Sequence, residues 1–118
     1  SPLPKLFRSD HLVVSSGGVI GIVDEALATL GHKRRVAAST THFAALPYLL
    51  AGSDAVATIP AHAARTIAQS TPLRALACPV DLPHYPVEIG WRTSTQRDPA
   101  IVRVRDTIAA CVASLVAP

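Results

Sequence analysis

The stretch LVVSSGGVIGIVDEALATLGHKRRVAASTT, residues 12–41, decides the fold. Its opening run LVVS is short, apolar and β-branched, SSGG then supplies a turn, and Ile20, Val23, Leu27 and Leu30 recur at helical spacing. Asp24 and Glu25 lie early in that helix, where negative charge is favoured, and Gly31 is placed to end it in the left-handed conformation. RVAASTT, residues 35–41, reads as a second strand. Strand, glycine loop, helix and strand in that order predict a parallel β-α-β unit.

Working outward, HFAALPYLLAG offers Phe43, Leu46, Leu49 and Leu50 as a helical face, with Pro47 forcing a late start or a bend. After the turn at residues 52–54, AVATIP reads as a third strand. Pro60 opens a helix whose apolar side is Ala64, Ile67 and Ala68. LRALAC, residues 73–78, is expected to be a fourth strand and VEIGW, residues 87–91, a fifth. Between them PVDLPHYP holds three prolines and serves as a connector. The last helix is the clearest: Asp98 is a good N-cap, Pro99 a good first residue, and Ile101, Val104, Ile108, Cys111, Val112 and Leu115 form a stripe. Toward the other terminus, SPLPKLFRSD lacks an apolar core of secretory length.

Composition bounds the function. The chain has 118 residues, of which 49% are hydrophobic and 16% charged, which suits one folded body rather than a disordered tract. The longest stretch without an acidic or basic residue, Val36 to Ser53, is broken by Ser39, Thr40, Thr41, His42, Pro47 and Gly52, so no membrane span is expected. Cys78 and Cys111 are too few for a disulfide scaffold, which points to a reduced, cytoplasmic protein. The net charge of +3 is mild, and its one basic run, His32 to Arg35, follows a helix end where cations complement the dipole. With 4% aromatic residues there is no stacking platform for single-stranded nucleic acid.

In parallel α/β sheets ligands bind beyond the carboxyl ends of the strands, which selects the loops at residues 15–18, 40–43 and 58–61. Ser16, Gly18 and Gly21 resemble a dinucleotide fingerprint whose first glycine is serine, but STTHF stands where an acidic residue would end the second strand. The glycines could also cradle an anion at a helix N-terminus, or merely make a tight turn. Thr41, His42 and Phe43 gather a hydroxyl, an imidazole and a ring at one rim, as small-ligand sites do. Metal is not expected, because His11, His32, His42, His62 and His84 are scattered and neither cysteine has a near partner. No G-x-S-x-G elbow or local triad suggests hydrolysis, and no catalytic residue is assigned.

The order HLVVSSGG, VDEALATLGHKRRVAAST, THFAALPYLLAGSDAVATIPAHAARTIA, PVDLPHYPVEIGWR and RDPAIVRVRDTIA resembles the later part of the effector-binding domain of LysR-type transcriptional regulators, from about Leu12 to Ala113. The resemblance implies a periplasmic-binding-protein-like (type 2) α/β fold in two lobes, with a mostly parallel sheet flanked by helices and a small carboxylate-bearing or aromatic effector between the lobes. It implies that residues 12–78 form the second lobe, 79–86 a hinge connector, and 87–118 the strand and helix that return to the first lobe. Effector-facing positions map to Ser16 and Gly17, to Thr41, His42 and Phe43, and to Thr58. It further implies a non-catalytic sensor without cofactor that self-associates and whose DNA contact is made by a helix-turn-helix region that nothing in these residues matches. The rival readings are a nucleotide-binding α/β enzyme domain and a stand-alone solute-binding lobe; nucleotide affinity favours the first rival, acid binding without turnover the sensor.

Overall fold

A computed structural model describes residues 3–15 and 21–116. The expected β-α-β unit is there: β1 spans Asp10–Val14, α2 Ile22–Thr29 and β2 Arg35–Thr40. Beyond it lie a 3-10 turn at Phe43–Ala45, α3 at Leu46–Leu50, the short β3 at Val56–Ala57, and α4 at Ala61–Ser70. Among the described residues the sheet has three strands in the order β2-β1-β3, all parallel. Since parallel crossovers are right-handed, leaving β1 toward β2 and then crossing back to β3 sends the two connections over opposite faces. His11, Leu12 and Val13 of β1 are accordingly all buried although alternate side chains point to opposite faces. Leu27 of α2 and Leu46 of α3 complete the core.

Both ends of α2 are set by the residues the sequence singled out. Gly31 has φ +68°, and a pair of reversed hydrogen bonds, His32 N–H to Leu27 C=O at 3.0 Å and Gly31 N–H to Ala28 C=O at 2.9 Å, closes the helix. Asp24 and Glu25 occupy its first turn.

The sequence reading did not anticipate α1, Leu3–Arg8, which precedes β1. A short helix ends on four carbonyls with no intrahelical donor. Here Lys5 C=O accepts from Ser9 N–H (3.1 Å) and Ser9 Oγ (2.7 Å), Leu6 C=O from His11 Nε2 (2.9 Å), Phe7 C=O from His32 Nε2 (3.2 Å), and Arg8 C=O from Arg35 Nη2 (3.0 Å). The His32 ring also stacks on Phe7 at 3.9 Å between centroids, and Arg35 pairs with Asp10. Most of the basic run at residues 32–35 is therefore spent on internal contacts rather than left as a solvated helix end.

The fourth and fifth strands expected from the sequence do not form. Residues 73–78 run without ladder hydrogen bonds, with Leu76 exposed, and residues 87–91 are likewise irregular. A strand needs a neighbour to take its N–H and C=O groups, and among the described residues neither segment has one. The segment at 55–60 also shortens to the Val56–Ala57 pair that reaches β1.

By its internal contacts the chain divides into two units, one ending at Pro83 and one beginning at His84. The second holds a 3-10 turn at Thr93–Thr95 and α5, Pro99–Val116. Asp98 caps α5 as expected, its Oδ1 accepting from Ala100 N–H at 2.9 Å and its carbonyl from Val102 N–H at 2.9 Å. Arg105 lies over the Trp91 ring, 4.9 Å from its centroid. Val104, Ile108, Val112 and Leu115 of the α5 stripe are exposed.

Candidate functional site

β1 and β2 end side by side: Ser15 N–H donates to Thr40 C=O at 2.9 Å, one step past the last residue of β1. Because the strands are parallel, the segments leaving them emerge at the same edge of the sheet. From β2 the chain passes directly into Thr41, His42 and Phe43. Thr40 Oγ1 accepts from His42 N–H at 3.2 Å, and Thr41 Oγ1 lies 2.8 Å from His42 Nδ1. His42 is extended (φ −128°, ψ 125°) and stands just before the 3-10 turn that Phe43 begins. The series thus holds one turn by its own side chains while Thr41, His42 and Phe43 remain exposed.

Thr58 follows β3 directly and is half-buried. It leaves the sheet at the same carboxyl edge as the other strands, since β3 is parallel to β1. Ser16 and Gly17, the remaining sequence candidates, lie outside the described residues, as does Gly18 of the partial dinucleotide pattern. Gly21 is described and caps α2, its N–H donating to Asp24 Oδ2 at 2.9 Å. Residues 39–44 and 56–60 contain no Asp, Glu, Lys or Arg, so the rim offers hydroxyls, an imidazole and apolar surface. Among the described residues no group of three or more His, Cys, Asp or Glu is placed to hold a metal, and no helix is long and apolar enough to cross a membrane. A concavity along α5 between Pro99 and Cys111 is open to solvent and encloses nothing.

One polar cluster behind the rim escaped the sequence reading. Arg34, buried at the foot of β2, donates from Nε to Asp24 Oδ1 and from Nη2 to Asp24 Oδ2, both at 2.8 Å. Burial raises the Asp24 carboxyl, but the Arg34 hydrogen bonds, the Gly21 N–H and the Arg34 charge outweigh it and hold the group below its ordinary value. The ten-position spacing of the partners matches no periodicity that pattern reading follows; the signal available was an acid in the first turn of a helix.

Comparison with known proteins agrees with this fold. The chain is 34% identical to nodulation protein D 3 of Rhizobium leguminosarum bv. phaseoli over 85 residues, 72% of this chain and 28% of the relative. It is 30% identical to the HTH-type transcriptional activator NahR of Pseudomonas putida over 93 residues, 79% of this chain and 31% of that one. It therefore spans about a third or less of the curated relatives it matches. The crystal structure of the regulatory domain of MexT, a transcriptional activator in Pseudomonas aeruginosa, superimposes with a TM-score of 0.82 at 34% identity, covering 92% of this chain and 55% of that one. With a family model for the LysR substrate binding domain matching residues 3–112, the parallel α/β unit shares its fold with that regulatory domain, and the chain belongs to the LysR substrate-binding domain family.

Proposed function

We propose that this chain is the effector-sensing part of a LysR-type transcriptional regulator and that its effector is a small aromatic or carboxylate-bearing compound held at the carboxyl edge of the sheet. The observation that carries the reading is the rim itself: Thr40 to Phe43 leave β2 beside the end of β1, with hydroxyls, an imidazole and a ring on an edge that holds no Asp, Glu, Lys or Arg. Such a surface accepts the ring of an organic acid through Phe43 and its oxygens through Thr41, His42 and Thr58, with Ser16 and Gly17 adding backbone donors from the glycine loop. No catalytic role, cofactor or metal enters.

In this reading residues 12–78 are the second lobe, 79–86 the hinge connector, and 87–118 the return to the first lobe. The division of the chain between Pro83 and His84 falls inside that connector. The effector binds one lobe arrangement more tightly and so shifts a conformational equilibrium. DNA is read by another part of the regulator, which works as a homo-oligomer in the cytoplasm. The exposed apolar series Val87, Ile89 and Trp91, with the α5 stripe, supports a fold completed by further chain.

A thermal-shift series on the full-length protein, with aromatic acids, aliphatic carboxylates and nucleotides as ligands, tests this. A ligand that binds only the folded state adds about 2.7 kcal/mol at a hundredfold excess over Kd. The expected result is stabilisation by an acid that His42→Ala weakens while leaving the unliganded midpoint within about a degree, as exposed substitutions do. Stabilisation by nucleotides alone would overturn the reading in favour of a nucleotide-binding domain.

A further inference from the structure

Every polar atom of His42 except Nε2 is held. Its N–H donates to Thr40 Oγ1 at 3.2 Å, its C=O accepts from Ala45 N–H at 3.2 Å, and its Nδ1 lies 2.8 Å from Thr41 Oγ1. Nε2 has no hydrogen-bond partner among the described residues, and the residue is exposed. The backbone of His42 is thus fixed by a hydroxyl behind it and by the 3-10 turn ahead of it, while its ring is tied at one nitrogen and open at the other.

His11 and His32 do the opposite: each places Nε2 on a carbonyl of α1, that of Leu6 or Phe7. A carbonyl only accepts, so in those rings the Nε2 proton is already engaged. A hydroxyl can donate or accept, and its proton turns to suit. Thr41 Oγ1 has no second partner among the described residues, so its proton is free to go to Nδ1. In a neutral imidazole one nitrogen donates and the other accepts, and the bond made by one decides the other: with Nδ1 accepting, Nε2 carries the proton. Residues 39–44 and 56–60 contain no Lys or Arg, so an effector oxygen at this rim must be met by neutral donors. Nε2–H is such a donor, whereas the other tautomer would turn a lone pair toward the oxygen.

We propose that Thr41 is a positioning residue for the effector rim: by donating its hydroxyl proton to Nδ1 it commits the neutral His42 ring to the Nε2–H form. The rim then offers a donor to an effector oxygen rather than an acceptor to an ammonium or amide N–H. That Nε2 meets an effector rests on the reading given above; that Thr41 sets the tautomer does not.

The test is NMR of the ring nitrogens in full-length protein isotope-labelled at histidine, without ligand and at about pH 8.5, above the ordinary histidine range. The His42 signals are assigned by their loss in His42→Gln. The expected spectrum shows His42 Nδ1 at the unprotonated position and Nε2 at the protonated one. Thr41→Val keeps the branched shape but has no proton to give, and it is expected to lower the ratio of the Nε2–H to the Nδ1–H form about fivefold, the bias of one hydrogen bond. Thr41→Ser is expected to restore the ratio. Thr41 is exposed, so neither variant empties a buried position. A ring protonated on Nδ1 in the unsubstituted protein would overturn the proposal. So would a ratio that Thr41→Val leaves unchanged while the backbone amide signals of Thr40 to Phe43 move, which would show a threonine that only shapes the turn. No ligand takes part, so a failed effector site, read from His42→Ala, stays distinguishable from a failed tautomer.

Discussion

Up to Pro83 the chain hides Leu12, Val13, Leu27 and Leu46 around three parallel strands and gives every carbonyl at the end of α1 a donor. From His84 onward it exposes Tyr85, Val87, Ile89 and Trp91 in alternation, and α5 exposes Val104, Ile108, Val112 and Leu115. Both stretches carry apolar periodicity of similar quality. What separates them is a partner for the backbone and for the apolar face: β1 has two neighbours, whereas residues 87–91 have none among those described. Pattern marks where a strand can form, and pairing decides whether it does.

This contrast is broken or sharpened most strongly at Arg34. Arg34→Met takes the two-point grip away from a half-buried Asp24 carboxylate that keeps only the Gly21 N–H, for an expected loss of about 3 kcal/mol in urea unfolding. A loss below about 1 kcal/mol, the value of an exposed pair, would mean that the first unit is not organised around this contact. The same pair carries a pH signature. Since the folded Asp24 lies below its ordinary value of 3.8, its contribution is complete above that value and fades as the pH drops through the lowered folded one. The stability difference between the protein and Asp24→Asn should therefore shrink on acidification below about pH 4.

Next comes Leu27→Ala, which empties a wholly buried position and should cost about 3 kcal/mol by the same unfolding assay. Gly31→Ala places a Cβ on a residue at φ +68° and is expected to cost about 1 kcal/mol. Smallest of all, Ile108→Thr in the second unit should change the unfolding free energy of these 118 residues by no more than about 0.5 kcal/mol, since Ile108 is exposed. A loss as large as that of Leu27→Ala would show that α5 already has a core.

Much of the fold was legible in advance because its signals are local. Gly31 as a left-handed stop, Asp98 and Pro99 as a helix start, and the alternation of strand and helix each depend on a few adjacent residues. α1 was missed because the last carbonyls of its short helix are taken by His11 just beyond it and by His32 and Arg35, which arrive from distant positions. The Arg34–Asp24 pair was missed for the same reason, and the basic run that contains Arg34 read as cations complementing a helix end. Of the rim, Thr41, His42, Phe43 and Thr58 follow the strands that fold logic chose, because the carboxyl edge of a parallel sheet is fixed once strand direction is known. The two irregular segments, 73–78 and 87–91, show the limit of that logic: neighbours are a tertiary property.

The central claim, that an effector binds at the carboxyl edge of this sheet, is tested most directly by mapping backbone amide shifts in the full-length protein as the acid chosen by the thermal series is titrated in. Saturable shifts concentrated at Thr40 to Phe43 and Thr58, with α5 unmoved, are the predicted result. Shifts centred on α5 with Thr40 to Phe43 unmoved would contradict it.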